Sequence, residues 1–177
     1  MPPGPVRVLV DGVGSGTLAD SLLDGLVAAG RPPLRVSGAD FQRPAGERYQ
    51  WGREDVEAFR DRWLDTGALR REVLDRPASV LPALWDVERD RSVRTARVEV
   101  PPHGVVLVDG LFLLGLGLPA EVVVHVALSP RALVRRGVPE WQLPAFGSYE
   151  QEAMPRELAD AVVLAEDPRR PALVLRS

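Results

Sequence analysis

The chain has 177 residues, of which 45% are hydrophobic and 27% charged, and its net charge is −3. These values predict one globular domain with a substantial core, and the negative charge argues against a nucleic-acid partner. The absence of cysteine excludes disulfides, thiol catalysis and cysteine-bound metals. No apolar run approaches the length of a membrane span, and the N-terminus lacks the pattern of a signal peptide. We therefore expect a cytoplasmic protein with no membrane partner.

Apolar runs alternate with helical patterns along the chain, which is typical of a parallel α/β sheet. Strands are predicted at 6–11, 33–37, 104–109, 121–128, 160–164 and 172–175. Helices are predicted at 17–29, 54–64, 66–76, 130–136 and 147–158. The stretch 77–103 is interrupted by prolines and arginines, so we expect an irregular connection there with one strand near 94–100. Segments 104–109 and 122–128 are almost wholly apolar, as in strands that are buried on both faces.

A glycine-rich loop joins the first strand to the first helix, and it reads Gly12-Val13-Gly14-Ser15-Gly16-Thr17. This is the context in which backbone N–H groups and a helix N-terminus bind phosphate. The usual lysine is missing, because all 22 basic residues of the chain are arginines, and only three residues separate Gly12 from Gly16. The loop favours a phosphate site over a bare turn or over the dinucleotide fingerprint of an NAD-dependent oxidoreductase. That fingerprint needs a glycine at position 17 and an acidic residue after the second strand.

Two acidic residues and a basic cluster are candidates for chemistry at the same edge of the sheet. Asp109 ends the most apolar strand and could hold magnesium with Thr17, or it could cap the following segment. Asp40 follows the second strand and could accept a proton from a substrate hydroxyl, or it could cap a turn. Arg135 and Arg136, with Arg131, follow the fourth strand. They could stabilise a transferring phosphoryl group from a lid, or they could simply be solvated.

Aromatic residues beside charged ones form two further clusters, one around Tyr49 and one around Trp85 and Asp86. Such aromatics could stack on a base or sugar, or they could anchor irregular loops on the core. His125 lies within an apolar strand, where we expect a hydrogen-bonded core residue.

In their order along the chain, these motifs resemble the uridine kinase-like branch of the P-loop nucleoside kinases. The motifs are the Val-Asp-Gly loop at 10–12, Val-Ser-x-x-Asp-Phe at 36–41, Gly-Arg at 52–53, Ala-Leu-Arg-Arg-Glu-Val-Leu at 68–74, Pro-Ala-Leu-Trp-Asp at 82–86, Val-Leu-Val-Asp-Gly at 106–110 and the tail at 158–168. The resemblance covers nearly the whole chain. It implies a P-loop NTPase-like three-layer α/β sandwich with a mainly parallel five-stranded sheet, in one domain spanning 1–177 with a short lid around 130–147.

The resemblance also implies a function, cofactors and a role for each candidate residue. The function is transfer of the γ-phosphate of ATP to the 5′-hydroxyl of a pyrimidine ribonucleoside, with ATP and Mg²⁺ as cofactors. The implied roles are ATP binding by Gly12, Val13, Gly14, Ser15, Gly16 and Thr17, metal binding by Thr17 and Asp109, substrate binding by Asp40, Phe41, Tyr49, Trp85 and Asp86, and catalysis by Asp40, Arg135 and Arg136.

The missing lysine keeps a second function open. One hypothesis is an ATP-dependent phosphotransferase that acts on a nucleoside or a similar small hydroxyl-bearing metabolite. The other is a catalytically impaired relative that serves as a nucleotide-binding or regulatory module. In both, the partners are small molecules and nucleotides rather than nucleic acid. The sequence leaves the oligomeric state open, a homo-oligomer included.

Overall fold

The computed structural model describes residues 4–167 and 169–176. The strands in these ranges are β1 (Val6–Asp11), β2 (Pro33–Ser37), β3 (Ser79–Val80), β4 (Trp85–Asp86), β5 (Arg91–Ser92), β6 (Val98–Glu99), β7 (Val105–Gly110), β8 (Val122–Ala127), β9 (Ala161–Leu164) and β10 (Ala172–Leu175). The α-helices are α1 (Ser15–Ala28), α2 (Ala45–Arg48), α3 (Val56–Asp61), α4 (Thr66–Leu69), α5 (Pro130–Arg135), α6 (Leu143–Glu152) and α7 (Pro155–Leu158). A π-helical turn, Arg70–Leu74, continues α4, and 3₁₀ turns lie at Gly38–Phe41 and Glu140–Gln142.

One six-stranded sheet organises the fold, in the order β10-β9-β8-β1-β7-β2. Its neighbouring strands run parallel, except that β10 is antiparallel to β9. The predicted mainly parallel sheet is therefore confirmed. The expected count of five strands is wrong, because both late apolar segments join the sheet and add β10 at its edge.

Helices cover both faces of the sheet, as the three-layer prediction requires. Neighbouring strand residues point to opposite faces, and Leu9 and Val10 of β1 enter two different core clusters. The Val10 cluster includes residues of α1 and α5, whereas the Leu9 cluster includes residues of α3, α4 and α6. The sheet thus lies between two apolar layers.

Strand β7 is buried on both faces, as its apolar sequence predicts. Val105 to Val108 are each 2% exposed or less, because β7 lies between β1 and β2 under helices on either side. The prediction holds only in part for β8, where Val122 is exposed and burial begins toward the C-terminal end.

The structure departs from the sequence prediction where helices end and in the irregular stretch 77–103. The predicted helix 147–158 is two helices, α6 and α7, which meet at Met154. Pro155 disfavours the right-handed helical region for the residue before it, and Met154 takes a left-handed φ of 48°. The predicted strand near 94–100 is reduced to Val98–Glu99, which pairs with β3 outside the main sheet. No helix within 4–167 and 169–176 is long and apolar enough to span a membrane.

Candidate active site

The carboxyl ends of three neighbouring strands form one edge of a cavity of about 420 Å³. Asp11 of β1 is in register with Gly110 of β7, and Ser37 of β2 is in register with Asp109. Open α/β sheets bind ligands at this kind of position. The lining residues are Gly12–Ser15, Ser37–Ala39, Gln42, Phe59, Arg60, Trp63, Leu64, Asp109–Leu113, Arg136–Pro139 and Gln142. The glycine loop, the end of β7 and the predicted lid therefore meet at one cavity.

The glycine loop is a tight turn of three residues, because α1 already begins at Ser15. Gly12 and Gly14 have φ values of 105° and 92°, which residues with side chains rarely adopt. The N–H of Ser15 donates to the carbonyl of Gly12 at 3.1 Å and closes the turn. A Cβ atom at Gly12 would lie 2.6 Å from the carbonyl oxygen of Val126, so only glycine fits there.

The start of α1 leaves backbone donors free for an anion. The first intrahelical bond runs from Leu18 N–H to the carbonyl of Gly14 at 3.0 Å. Within 4–167 and 169–176, the N–H groups of Gly16 and Thr17 donate to no acceptor. The N-terminus of a 14-residue helix also carries a partial positive charge. These are the backbone features that bind phosphate.

Arg136 brings a side-chain cation to the loop from the helix that follows β8. Its Nη1 lies 3.4 Å from the position that a Cβ of Gly14 would occupy, and its Nη2 donates to the carbonyl of Ala165 at 3.2 Å. The neighbouring Arg135 instead turns toward Glu166, whose backbone carbonyl accepts from its Nη2 at 3.1 Å. Of the two arginines predicted to be catalytic, Arg136 lines the cavity and Arg135 does not.

Asp109 is ion-paired with an arginine that the sequence analysis did not select. Nε of Arg35, on the neighbouring strand β2, donates to Oδ1 of Asp109 at 2.8 Å, and Nη1 of Arg35 lies 2.6 Å from Oδ1 of Asp20. The hydrogen bond to Asp109 is the main reason that the pKa of Arg35 is raised. A Cβ at Gly16 would lie 2.9 Å from Nη2 of Arg35. The guanidinium therefore packs directly against the first turn of α1.

The groups around Asp109 do not match the magnesium site that the resemblance implies. Thr17 is exposed and lies outside the cavity lining, where Ser15 supplies the hydroxyl instead. That hydroxyl donates to the carbonyl of Gly110 at 3.3 Å. Asp109 already has a cationic partner, and the described residues hold no group of three or more acidic, histidine or cysteine side chains that could bind a metal ion. A magnesium ion at Asp109 would have to compete with Arg35.

Asp40 lies in the 3₁₀ turn after β2, next to the cavity-lining Ala39. The pKa of its carboxyl is raised, first by burial and then by the negative charges of Asp109 and Asp86, although Arg35 opposes these effects. A carboxylate with a raised pKa is a stronger base than an exposed aspartate. The electrostatics of this position therefore suit proton acceptance.

The predicted substrate-binding aromatics lie around the cavity rather than in its wall. Phe41 is 1% exposed and packs in the core. Tyr49 packs edge-on against Trp63, with ring centroids 5.5 Å apart. Trp85 donates its indole N–H to Asp90 at 3.0 Å, and Asp86 accepts from the N–H of Arg89.

The aromatic residues that do line the cavity are Phe59, Trp63 and Phe112. Phe59 packs edge-on against both others, with ring centroids 4.9 Å from Trp63 and 5.3 Å from Phe112. Trp63 lies two residues after the end of α3, but on the predicted helix 54–64 a spacing of four residues would put Phe59 and Trp63 on one face. This spacing was the sequence signal that could have identified the pair.

A buried hydrogen-bonded network lies directly behind the glycine loop. Asp11 is 0% exposed, and its carboxylate accepts from the N–H of Leu113 at 2.8 Å and from the hydroxyl of Tyr149 at 3.0 Å. Nδ1 of His125 lies 2.7 Å from the same carboxylate, as expected of a hydrogen-bonded core histidine. The network also holds Phe112 at a left-handed φ of 59°. Bulky residues adopt this conformation mainly where the surroundings enforce it, often at functional sites.

The fold of the chain is similar to that of solved structures described as kinases. A solved structure of a possible uridine kinase from Bacillus stearothermophilus superposes with a TM-score of 0.74 and 19% identity, over 90% of this chain and 88% of the other. A protein named as a fructose transport system kinase from Silicibacter sp. TM1040 gives 0.61 and 21% identity, over 90% and 87%. Phosphoribulokinase from Rhodobacter spheroides gives 0.56 and 10% identity, over 91% and 70%.

These identities are low, so the likeness establishes the fold alone. No protein-family profile matches the sequence, and no curated protein sequence matches it either. The resemblance to the uridine kinase-like fold that the motifs predict is therefore confirmed by structure.

Proposed function

We propose that the protein is a uridine kinase-like phosphotransferase that transfers phosphate from ATP to a nucleoside or a similar small hydroxyl-bearing metabolite. The observation that carries this proposal is the shared cavity of the glycine loop, Arg136 and the end of β7. Its volume of about 420 Å³ is in the range of small-molecule binding sites.

The proposed roles follow from what each group can offer. The loop Gly12–Thr17 binds phosphate through backbone N–H groups and the positive end of α1. Arg136 adds a guanidinium, whose donors match phosphate oxygens, and it takes the part that a loop lysine would otherwise play. Asp40 accepts the proton of the acceptor hydroxyl, which makes that oxygen a better nucleophile toward phosphorus.

The aromatic wall of the cavity suits a flat, partly apolar acceptor. Phe59, Trp63 and Phe112 offer ring faces and edges, while Gln42 and Gln142 offer amide groups for the polar edge of a base or for sugar hydroxyls. A pyrimidine nucleoside combines these features. The substitution Trp63→Ala should raise the KM for such an acceptor more than the KM for ATP.

The direct test incubates the protein with ATP and a panel of nucleosides and sugars at enzyme concentrations near stoichiometric. Parallel reactions contain either Mg²⁺ or EDTA. Phosphorylated product should form with at least one pyrimidine nucleoside, and Asp40→Asn should lower kcat by about 100-fold or more. The matched control Asp24→Asn changes an exposed carboxylate on α1 and should leave kcat unchanged. No product from any acceptor would reject the transferase assignment.

The short loop and the ion pair between Asp109 and Arg35 favour a second candidate function, which is a nucleotide-binding module without transferase activity. Both features lower the number of groups that could stabilise a transferring phosphoryl group. Both candidate functions require the site to bind ATP, and calorimetry with ATP shows whether it does. Micromolar binding without turnover supports the module, whereas binding with turnover supports the kinase.

A further inference from the structure

Arg35 is held in place from two sides next to the proposed phosphate site, where it contacts Asp109 of the cavity lining without lining the cavity itself. Asp109 on β7 and Asp20 on α1 bind its Nε and Nη1, at 2.8 and 2.6 Å. Nη2 lies against Gly16 and, within the described residues, donates to no acceptor. One donor of a fixed cation thus remains available beside the free N–H groups of α1.

This guanidinium occupies Oδ1 of Asp109, one of the two oxygens through which the carboxylate could bind a metal ion. Mg²⁺ usually binds proteins through one or two carboxylates together with substrate phosphates. Asp109 is the only carboxylate among the described residues that line the cavity, and it is already paired. A second positive charge here would face the guanidinium of Arg35 at close range. The cavity also has cationic groups in its wall, Arg60 and Arg136.

We propose that Arg35 is a built-in cation that replaces the magnesium ion, so that the site binds nucleotide phosphates without a metal. This inference rests on the proposed function, because it assigns a charge partner to the same phosphate site. It makes two separate statements: wild-type protein binds ATP equally well with and without Mg²⁺, and Asp109 binds a divalent metal only when Arg35 is removed.

The first statement is tested by titrating full-length wild-type protein with ATP by calorimetry, once in EDTA and once in excess Mg²⁺. The dissociation constants should differ by less than about threefold. Arg35→Gln should weaken binding in EDTA by about tenfold or more, since a charge-assisted hydrogen bond is worth at least about that factor. Mg²⁺ should then restore much of the affinity of the variant, because Asp109 is free to bind it. In Arg35→Gln/Asp109→Asn this restoration should disappear.

The matched control is Arg31→Gln. Arg31 lies just before β2 and donates to the carbonyl of His103 at 3.1 Å, so its hydrogen bond does not involve Asp109. The substitution Arg31→Gln removes the same charge from the same region of the chain. The ATP affinity of this variant should stay at the wild-type value in both buffers.

The second statement is tested without any nucleotide, by titrating Mn²⁺ into each protein and following the free ion by electron paramagnetic resonance. Wild type and Arg31→Gln should bind no Mn²⁺ at millimolar concentration, whereas Arg35→Gln should bind one ion. Retained circular dichroism spectra and unfolding midpoints show that each variant is folded.

The outcomes separate this inference from the proposed function. If wild type binds ATP only with Mg²⁺, or binds Mn²⁺ alone with Arg35 intact, the inference is overturned while the nucleotide site stands. If wild type binds ATP in neither buffer, the proposed function fails and the metal-free site fails with it. Binding in EDTA, together with metal dependence gained in Arg35→Gln, supports both.

Discussion

At the scale of single residues, Asp11 is the buried carboxylate that joins the segment after β7 to Tyr149 of α6, directly before the glycine loop. Asp11→Ala removes the acceptor for the N–H of Leu113 and the hydroxyl of Tyr149, both of which are buried. Each unsatisfied buried donor costs about 1–3 kcal/mol, so we expect the two donors together to lower the free energy of unfolding by at least about 2 kcal/mol. Urea denaturation of the variant and the wild type measures this difference.

The control for this prediction is Asp24→Ala, which removes an exposed carboxylate from α1. Surface substitutions of this kind usually change stability by less than about 0.5 kcal/mol. Equal effects of the two substitutions would show that the Asp11 network does not contribute to stability.

Asp40 gives a pH-dependent prediction at the same scale. Burial and neighbouring negative charges raise its pKa above the ordinary value of 3.8, so the folded protein holds this proton more tightly than the unfolded chain does. Above the raised pKa, the folded state therefore carries an unfavourable charge, and Asp40→Asn should be more stable than wild type. This advantage should shrink as the pH falls through the folded-state pKa toward 3.8.

Urea denaturation at a series of pH values measures both curves. Asp24→Asn should track the wild type at every pH, because its side chain is exposed. An advantage of Asp40→Asn that grows on acidification would mean that the pKa of Asp40 is lowered, and it would contradict the prediction.

At the scale of elements, periodicity and strand composition predicted the parallel strands, because buried strands have long apolar runs that stand out from their flanks. The same reasoning failed at element ends. Pro155 stops α6 through the residue before it, and an apolar pattern that continues on both sides hides such a break.

The candidate site likewise contains residues that the sequence predicted and residues that it did not. The sequence predicted the glycine loop and Asp109, which meet at the cavity, and Asp40, which lies next to it, because all of them follow strands whose ends share one edge of the sheet. Arg35 was missed because it lies within a strand, and only the register of β2 with β7 brings it next to Asp109. Phe59 and Trp63 were missed because helical aromatics are more often core than ligand contacts.

Met154, between α6 and α7, is strained by this helix break and gives a prediction at the element scale. Its φ of 48° is unfavourable for a residue with a side chain, and about half of its surface is exposed. Met154→Gly should therefore stabilise the protein by about 0.5–1 kcal/mol. Thermal and urea unfolding measure the change.

The matched control introduces a glycine within helix α6 instead. Gln151 is exposed within α6, so Gln151→Gly should destabilise the protein by a similar amount. A loss of stability in both variants would show that Met154 is not strained.

At the scale of the whole molecule, positive charge at the cavity contrasts with a net charge of −3. Arg136 lies on one side of the cavity and the N-terminus of α1 on the other. The helices and strand ends that form the cavity are far apart in sequence. An anion bound there would hold these elements together. Ligand binding should therefore raise the stability of the whole fold and not only of the loop.

ATP at 100 times its dissociation constant should raise the free energy of unfolding by about 2.7 kcal/mol. For a chain of this size, that corresponds to a rise of about 5–10 °C in the unfolding midpoint, which differential scanning calorimetry measures.

At the same ATP concentration, Arg136→Gln should lose most of the rise, because it removes the guanidinium beside Gly14. Arg131→Gln removes an exposed arginine from the same helix and should keep the full rise. Equal rises in the two variants would mean that Arg136 does not contact the phosphates, and their binding would then rest on the backbone of the loop and on Arg35.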